Sequence, residues 1–384
     1  MIRIFWAFLV LGCTAFGGPV AHIGFFREAF VTRRAWLSPT AFADLVALCH
    51  VLPGPASSQV GLGIGYLRGG VPGALAAWAG FTLPSALLLA ALAAGFSALP
   101  PESTAAAARG LAWAAAAVVA QAVLHMARDR VRRAADALPV AAAAALAWAW
   151  PGVGGQIAAL VVGAAWGMAF APASQAEAPE DAPPPRLAWL WLAAWAALLA
   201  LLPLLAAEAG RWVTLADRFY RVGSLVFGGG HVVLPLLKAE WVDAGLLPAE
   251  TFLAGYGAAQ AVPGPLFTLA AYLGAALAPG APWRGAAVAL AAVFLPSMLL
   301  VFGILPYAAR LRRSARTTRA LSGVNLAVVG VLAAAWVNPV CAAAVRGWPD
   351  AAAVAAGFAL LLSRRVPVPL LVAGLAAVGA AFPF

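Results

Sequence analysis

The chain has 384 residues, of which 64% are hydrophobic and only 10% charged. A soluble domain carries about a quarter charged residues, so an ordinary soluble enzyme is excluded. The apolar sequence suffices for roughly a dozen membrane segments of about 20 residues each. The net charge of +10 falls in short arginine clusters between apolar runs, the pattern of positive-inside topology and not of a nucleic-acid-binding face. Cys13, Cys49 and Cys341 lack paired spacing, so neither a disulfide framework nor a metal or other cofactor site is expected.

In chain order, the first unit spans residues 1–170. Its opening run belongs to a repeated pattern and is expected to remain in place, not to act as a removable leader. Apolar sequence at 4–26 is broken at Gly17-Gly18-Pro19, and a second segment at 41–70 is broken at Pro53-Gly54-Pro55. Continuous helices are expected at 72–99 and 104–126, then a tight pair at 138–150 and 151–170. Residues 171–212 hold a polar, proline-rich linker that cannot pack as a core, followed by a lone helix at 187–207. The second unit, 213–384, repeats the plan. It is broken at Gly228-Gly229-Gly230 within 214–236 and at Pro263-Gly264-Pro265 within 249–279, with helices at 283–309, 317–338, 349–363 and 366–383.

The breaks match in kind and spacing. Phe16-Gly17-Gly18 stands before Leu52-Pro53-Gly54-Pro55 at the separation, to within one residue, at which Phe227-Gly228-Gly229 stands before Val262-Pro263-Gly264-Pro265. A third match is Leu83-Pro84-Ser85 with Leu295-Pro296-Ser297. Helix-breaking residues leave backbone groups unpaired, and in hydrocarbon such breaks survive where they line a protected cavity. Paired breaks in paired repeats are the architecture of a transporter. The expected fold class is an all-α polytopic membrane protein with two inverted-topology repeats, containing broken or re-entrant helices.

The inversion follows from the basic loops. Arg128, Arg130, Arg132 and Arg133 follow the fourth segment of the first unit, whereas Arg310, Arg312, Arg313, Arg316 and Arg319 follow the third segment of the second. The loop before the first Pro-Gly-Pro carries Arg27, Arg33 and Arg34; its counterpart mixes Lys238 with Glu240, Asp243 and Glu250. If arginine clusters stay cytoplasmic, the units lie upside down to one another. An even number of crossings per unit plus the lone helix then puts the N-terminus inside and the C-terminus outside. Arg211, Arg218 and Arg221 would lie on the outer side, against the rule.

At Pro53-Gly54-Pro55 one proline ends a helix and the other stands where a new helix starts, a position that tolerates a missing N–H. The next free N–H groups, with the hydroxyls of Ser57 and Ser58 and the amide of Gln59, form a helix N-terminus suited to an oxyanion. The matched site at Pro263, Gly264 and Pro265 offers Thr268 as its nearby hydroxyl. Alternatively, Pro-Gly-Pro merely kinks a long helix, and the glycines at 17, 18 and 228–230 merely allow close helix packing. His22 and His231 follow the Phe-Gly-Gly turns at offset positions; each either moves protons, ligates the anion or caps a turn. A charge at the bilayer centre costs about 2.5–3.5 kcal/mol, which makes Asp44, Glu28, Glu240, Arg27 and Lys238 ion-pathway candidates, with Asp44 foremost. Trp6, Trp36, Trp78 and Trp241 read as interface anchors.

These motifs together resemble the chromate ion transporter family in its long, two-domain form. The resemblance is carried by residues 16–28, Trp36-Leu37-Ser38, residues 52–61, residues 227–237 and residues 260–267, and it covers essentially the whole chain outside the linker. It implies proton-motive-force-driven export of chromate across the bacterial inner membrane, with sulfate as a close structural relative of the substrate. His50 stands where related versions of the motif carry glutamine, which bears on selectivity. The competing readings are a sulfate or other oxyanion carrier, a membrane-embedded redox enzyme and a non-transporting scaffold. The redox reading lacks a dinucleotide fingerprint and a cysteine pair. Beyond substrate, protons and lipid bilayer no partner is implied, and oligomeric state is open.

Overall fold

The computed structural model describes residues 1–98, 101–150, 153–171, 188–227, 233–307, 315–363 and 365–381. Among these residues all regular structure is helical. Most of the polar linker, the Gly228–Gly230 break with His231, and Arg310, Arg312, Arg313 and Arg364 lie outside them.

The first half opens with α1 (Ile2–Thr14) and α2 (Gly18–Phe26), followed by a π-helical turn at Arg27–Arg33. Gly17 and Gly18 separate them with φ of +100° and +74°, a region that costs an L-residue roughly 1–2 kcal/mol. The two arms fold back on one another. Phe8 on α1 stacks on Phe30 at 4.6 Å and meets Phe26 at 5.6 Å, whereas one straight helix would hold Phe8 and Phe26 roughly 27 Å apart.

The same argument settles the next segment. Ser38 caps α3 (Pro39–Val51) by accepting the Ala41 N–H at 3.1 Å, and Pro39 fills the first turn. Such a cap contributes about 1 kcal/mol. After Pro53-Gly54-Pro55 comes α4 (Ala56–Ala98), kinked at Gly69 and Gly70 where the backbone leaves helical geometry. A Cβ placed on Gly63 would press on the Leu45 side chain, so α3 and the first arm of α4 lie side by side. Both broken segments of this half fold back as helical hairpins.

The second half repeats them. α9 (Arg211–Leu225) and α10 (Val233–Trp241) bring Phe219 and Trp241 within 5.0 Å. Aligned on Phe-Gly-Gly, these are the counterparts of Phe8 and Phe30. α11 (Ala249–Ala261) and α12 (Leu269–Ala276) fold back so that Gly255 faces the ring of Tyr272.

Longer helices frame the hairpins. Stretches long and apolar enough to cross a membrane occur at Ala56–Phe96, Ala106–Arg130, Ala188–Ala206, Pro282–Tyr307 and Thr318–Ala344. They belong to α4, α5 (Pro101–Arg130), α8 (Ala188–Ala206), α13 (Pro282–Ile304) and α14 (Ala315–Ala335) with the turns after them. α8 packs against the second half, where Tyr220 donates its hydroxyl to the Trp195 carbonyl at 2.9 Å.

The halves exchange their last helix pairs. α6 (Ala137–Ala149) and α7 (Val153–Phe170) from the first half pack on α14 of the second, and Gly163 and Gly167 meet Gly323 there backbone to backbone. α15 (Trp348–Leu362) and α16 (Val368–Ala381) pack in turn on α5 of the first half, with Gly379 against Gly110. Small residues at these crossings allow the close approach that drives helix association in lipid. The exchange is sealed by Asp350, fully buried, which receives Arg109 at 2.7 Å and Trp113 Nε1 at 2.9 Å from the other half.

Candidate functional site

The hairpin tips meet across the two halves, and they do so reciprocally. The Gly54 N–H donates to the Val226 carbonyl at 2.7 Å, and the Gly264 N–H donates to the Ala15 carbonyl at 2.9 Å. Each Pro-Gly-Pro is thus bonded to the residue just before Phe-Gly-Gly of the other half. Gly54 and Gly264 have φ of +120° and +96°, so the turn itself calls for glycine. A Cβ at Gly54 would strike Ser297 Oγ and Gln59 Nε2; one at Gly264 would lie 2.9 Å from Ser85 Oγ and 3.1 Å from the Phe81 carbonyl. Ser85 and Ser297 are the serines of the doubled Leu-Pro-Ser, and each faces the Pro-Gly-Pro of the opposite half.

His22, fully buried, links the two tips. Its Nε2 lies 3.2 Å from the Ala15 carbonyl and its Nδ1 3.5 Å from Ser57 Oγ. A carbonyl only accepts, so Nε2 carries the proton and Nδ1 of the neutral ring accepts from Ser57. The Ser57 hydroxyl proton is therefore directed at His22, while Ser58, 4% exposed, has a hydroxyl with no partner. Gln59 donates from Nε2 to the Pro53 carbonyl at 2.6 Å and lies 3.4 Å from Ser297 Oγ, which leaves its Oε1 buried and unpartnered. The first bond of the new helix runs from Gln59 N–H to the Pro55 carbonyl, so the N–H groups of Ala56, Ser57 and Ser58 precede it and have no acceptor within the helix.

The second tip has fewer free donors. Pro265 leads into a 3₁₀ turn, Leu266–Thr268, in which the Thr268 N–H and hydroxyl both bond the Pro265 carbonyl, at 3.0 and 2.7 Å. The hydroxyl expected to face the gap is already satisfied. Thr82 Oγ1, beside Phe81 on α4, is buried and unpartnered.

The expected charges stand away from the tips. Asp44 is partly buried on α3, nine residues before Pro53 and so roughly 13 Å along the helix. Glu28 pairs with Arg33 at 2.8 Å on the surface, and Arg27 is exposed. Lys238 pairs with Asp243 at 2.9 Å. Glu240 is buried beside α9, with Arg221 at 3.4 Å and Arg218 at 3.8 Å, and Arg221 also holds Asp217 at 3.0 Å. These arginines, read from sequence as outer-loop residues, thus join a partly buried ion network. Trp241 is packed in the core and is not the interface anchor expected; Trp78, half-buried, sits against Phe294, and Trp6 is exposed. Gly17 and Gly18 supply the turn, and a Cβ on Gly18 would meet nothing. Sequence reasoning passed over Ser85, Ser297 and Thr82, although the doubled Leu-Pro-Ser pointed to the two serines.

The first tip can present the Ser58 hydroxyl and backbone N–H groups to an oxyanion. Among the described residues no group of histidine, cysteine and carboxylates fit to hold a metal occurs.

Comparison with known proteins agrees with this architecture. The family model described as Chromate transporter matches residues 2–168 and again 213–380. The chromate transport protein of Pseudomonas aeruginosa is 29% identical over 351 residues, covering 88% of this chain and 80% of that protein. The chromate transport protein of Cupriavidus metallidurans is 27% identical over 97% of this chain and 90% of its own length. A probable chromate transport protein of Synechococcus elongatus is 28% identical over 85% and 81%. No solved structure matches. Matched in both halves, the chain belongs to the chromate transporter family and is a multi-pass membrane transport protein.

Proposed function

We propose that the protein exports chromate from the bacterial cytoplasm by alternating access, with the anion held where the Pro-Gly-Pro tips of the two halves meet. The reciprocal bonds Gly54 to Val226 and Gly264 to Ala15 carry this reading. They make the two halves mutual halves of one midplane site, and rocking one against the other would break one contact set while keeping the other. The substrate comes from the relatives, whose names specify chromate transport.

The orientation follows from the spans. Each half contributes two long apolar helices; in the proposed arrangement its hairpins are re-entrant, and α8 adds one crossing between the halves. The second half then enters the membrane from the opposite face. With Arg128, Arg130, Arg132 and Arg133 cytoplasmic, the N-terminus is inside and the C-terminus outside, in the inner membrane. Units 1–170 and 213–384 act as inverted repeats, joined by the linker and α8. Proton-motive force is the proposed energy source, and His22 and the Glu240 network are the groups placed to respond to it.

The test uses inverted vesicles containing the purified protein. Labelled chromate is expected to accumulate under an imposed proton gradient, above empty vesicles and above vesicles with Gly54→Ala protein. Equal uptake in all three would overturn the function. Unlabelled sulfate in excess reports whether the site also accepts that anion.

A further inference from the structure

The donor and acceptor inventory of the first tip points to a particular form of the anion. Gln59 Oε1 is an acceptor and nothing else. Its identity is fixed because the other amide atom, Nε2, donates to the Pro53 carbonyl at 2.6 Å. Gln59 is fully buried, and Oε1 has no partner. A buried acceptor facing a site built for oxyanions would meet only negatively charged oxygen, and that contact is repulsive unless the ligand itself carries an O–H. The residue before it, Ser58, carries an unpartnered hydroxyl donor. A donor and an acceptor left over in the same first turn match an oxyanion that has both a bare oxygen and a protonated one.

Charge argues the same way. The cost of bringing an ion out of water rises with the square of its charge, about fourfold from monoanion to dianion. Among the described residues the tips contain no lysine or arginine. The cation nearest a tip along its arm, Arg221, lies five residues before Val226 and is held by Asp217 and Glu240. What the first tip offers is a helix N-terminus worth about half a positive charge.

Resting on the proposed function, we infer that the site takes its oxyanion in the singly protonated, monoanionic form, with the substrate O–H donated to Gln59 Oε1. The second half lacks this acceptor, since Leu269 stands at the position matching Gln59 in the alignment of the Pro-Gly-Pro breaks. Chromate takes up its proton close to neutral pH, whereas sulfate remains a dianion until strongly acid solution. The inference therefore accounts for discrimination between two tetrahedral anions of similar shape through their basicity.

Ionisable groups on this arm and on the elements packed around it are Tyr66 and Arg68 on the arm itself, Arg3 and Cys13 on α1, His22 on α2, Asp44, Cys49 and His50 on α3, Glu250 and Tyr256 on α11, Tyr272 on α12 and Arg284 on α13. Among the described residues, the histidines nearest the Pro-Gly-Pro tips are His22 and His50. His22 is tied to Ala15 and Ser57, and His50 lies 2.7 Å from the Val46 carbonyl. His231 lies outside the described residues. Any titration of these groups must be separated from that of the substrate.

The experiment measures binding of labelled chromate to the full-length protein in lipid nanodiscs across neutral pH, with perrhenate as a permanently monoanionic reference that reports the protein's own titration. Relative to perrhenate, affinity for total chromate is expected to fall about tenfold per pH unit above the pH at which chromate itself loses its proton. Sulfate should compete weakly at every pH. A chromate-to-perrhenate ratio that is flat or rises toward alkaline pH, or sulfate competing as well as chromate, would overturn the inference while leaving transport intact. Gln59→Leu should lower the preference for chromate over perrhenate at least about fivefold; an unchanged preference in a variant that still binds perrhenate removes Gln59 from the role. If neither anion binds at any pH and vesicles show no uptake, the proposed function falls, and this inference with it.

Discussion

The two halves share a backbone plan and differ in what fills it. At the base of the first hairpin, the arms are held by aromatic rings, Phe8, Phe26 and Phe30, with Trp36 stacked on Phe30 at 4.9 Å. At the matched place in the second half, Phe219 and Trp241 keep the ring contact. Around it, however, Asp217, Arg218, Arg221 and Glu240 form an ion network where the first half has Trp6, Ala7, Val10 and Ala29. The tips differ likewise: Ser57-Ser58-Gln59 against Phe267-Thr268-Leu269 would be a like-for-like exchange only in backbone, since one set is polar and the other mostly apolar. Duplication can preserve a frame able to alternate while each copy takes on separate chemistry. The common part is what both copies need, namely glycine at the turns and carbonyls for them to bond.

The largest expected effect tests that common part. Gly54→Ala and Gly264→Ala each force a side chain onto a left-handed backbone, about 1–3 kcal/mol of strain, and press it on a serine of the other half. Chromate uptake in vesicles should fall more than about tenfold for both, by amounts that agree within a factor of about three. A loss confined to one of them would mean that the tips do not work as a pair.

The next test breaks the difference. Arg221→Val or Glu240→Ala alone installs the residue type of the first half but strands buried charge, at a cost of about 2–3 kcal/mol after allowance for the partial exposure of Arg221. The double variant should cost clearly less than the two singles combined, because the stranded charges leave together. Denaturant unfolding in detergent gives the cycle. Additive losses would show that the ions are not coupled.

A smaller contrast concerns the tips. Ser58→Ala removes a buried, unpartnered donor and should weaken chromate binding about five- to tenfold. Thr268→Val removes a hydroxyl already bonded to Pro265 and should leave binding within about twofold. Reversed effects would place the selective side in the second half.

Much of this was legible in the chain. Local signals are strong where glycine or proline must stand: Gly17-Gly18, Pro53-Gly54-Pro55 and Pro263-Gly264-Pro265 mark real breaks. The doubled Leu-Pro-Ser was visible too, but nothing local says that Ser297 faces Gly54 across the molecule. The exchange of α6–α7 for α15–α16 was hidden for the same reason: Gly163, Gly323, Gly110 and Gly379 look like ordinary small residues until their partners are known. The ion network escaped because α9 carries charges at helical spacing, and whether they face water or Glu240 on α10 is decided only when the hairpin closes. Thr268 showed the limit of reading side chains singly, since its donor is used by a carbonyl three residues away.

The smallest effect lies at another matched pair, Asp136 and Asp350. Each carboxylate accepts the N–H of the arginine four residues before it, Arg132 at 3.1 Å and Arg346 at 2.9 Å. Asp350 then joins the halves through Arg109, whereas Asp136 closes locally on Arg133 at 2.7 Å. The hydrogen bond from Arg133 holds the Asp136 carboxyl below its ordinary range. A carboxyl depressed in the folded state stabilises it at all pH values above the ordinary carboxylate range. That contribution disappears as pH falls through the lowered value, because folded and unfolded chains then bind the proton alike. The pair is solvent-screened, so Asp136→Asn should lower Tm at neutral pH by no more than about 2 °C, and the gap to the parent protein should close in acid. Asp350→Asn should cost more, because it leaves Arg109 without its carboxylate between the two halves. Equal shifts for both variants would mean that the contact across the halves contributes no more than the local turn.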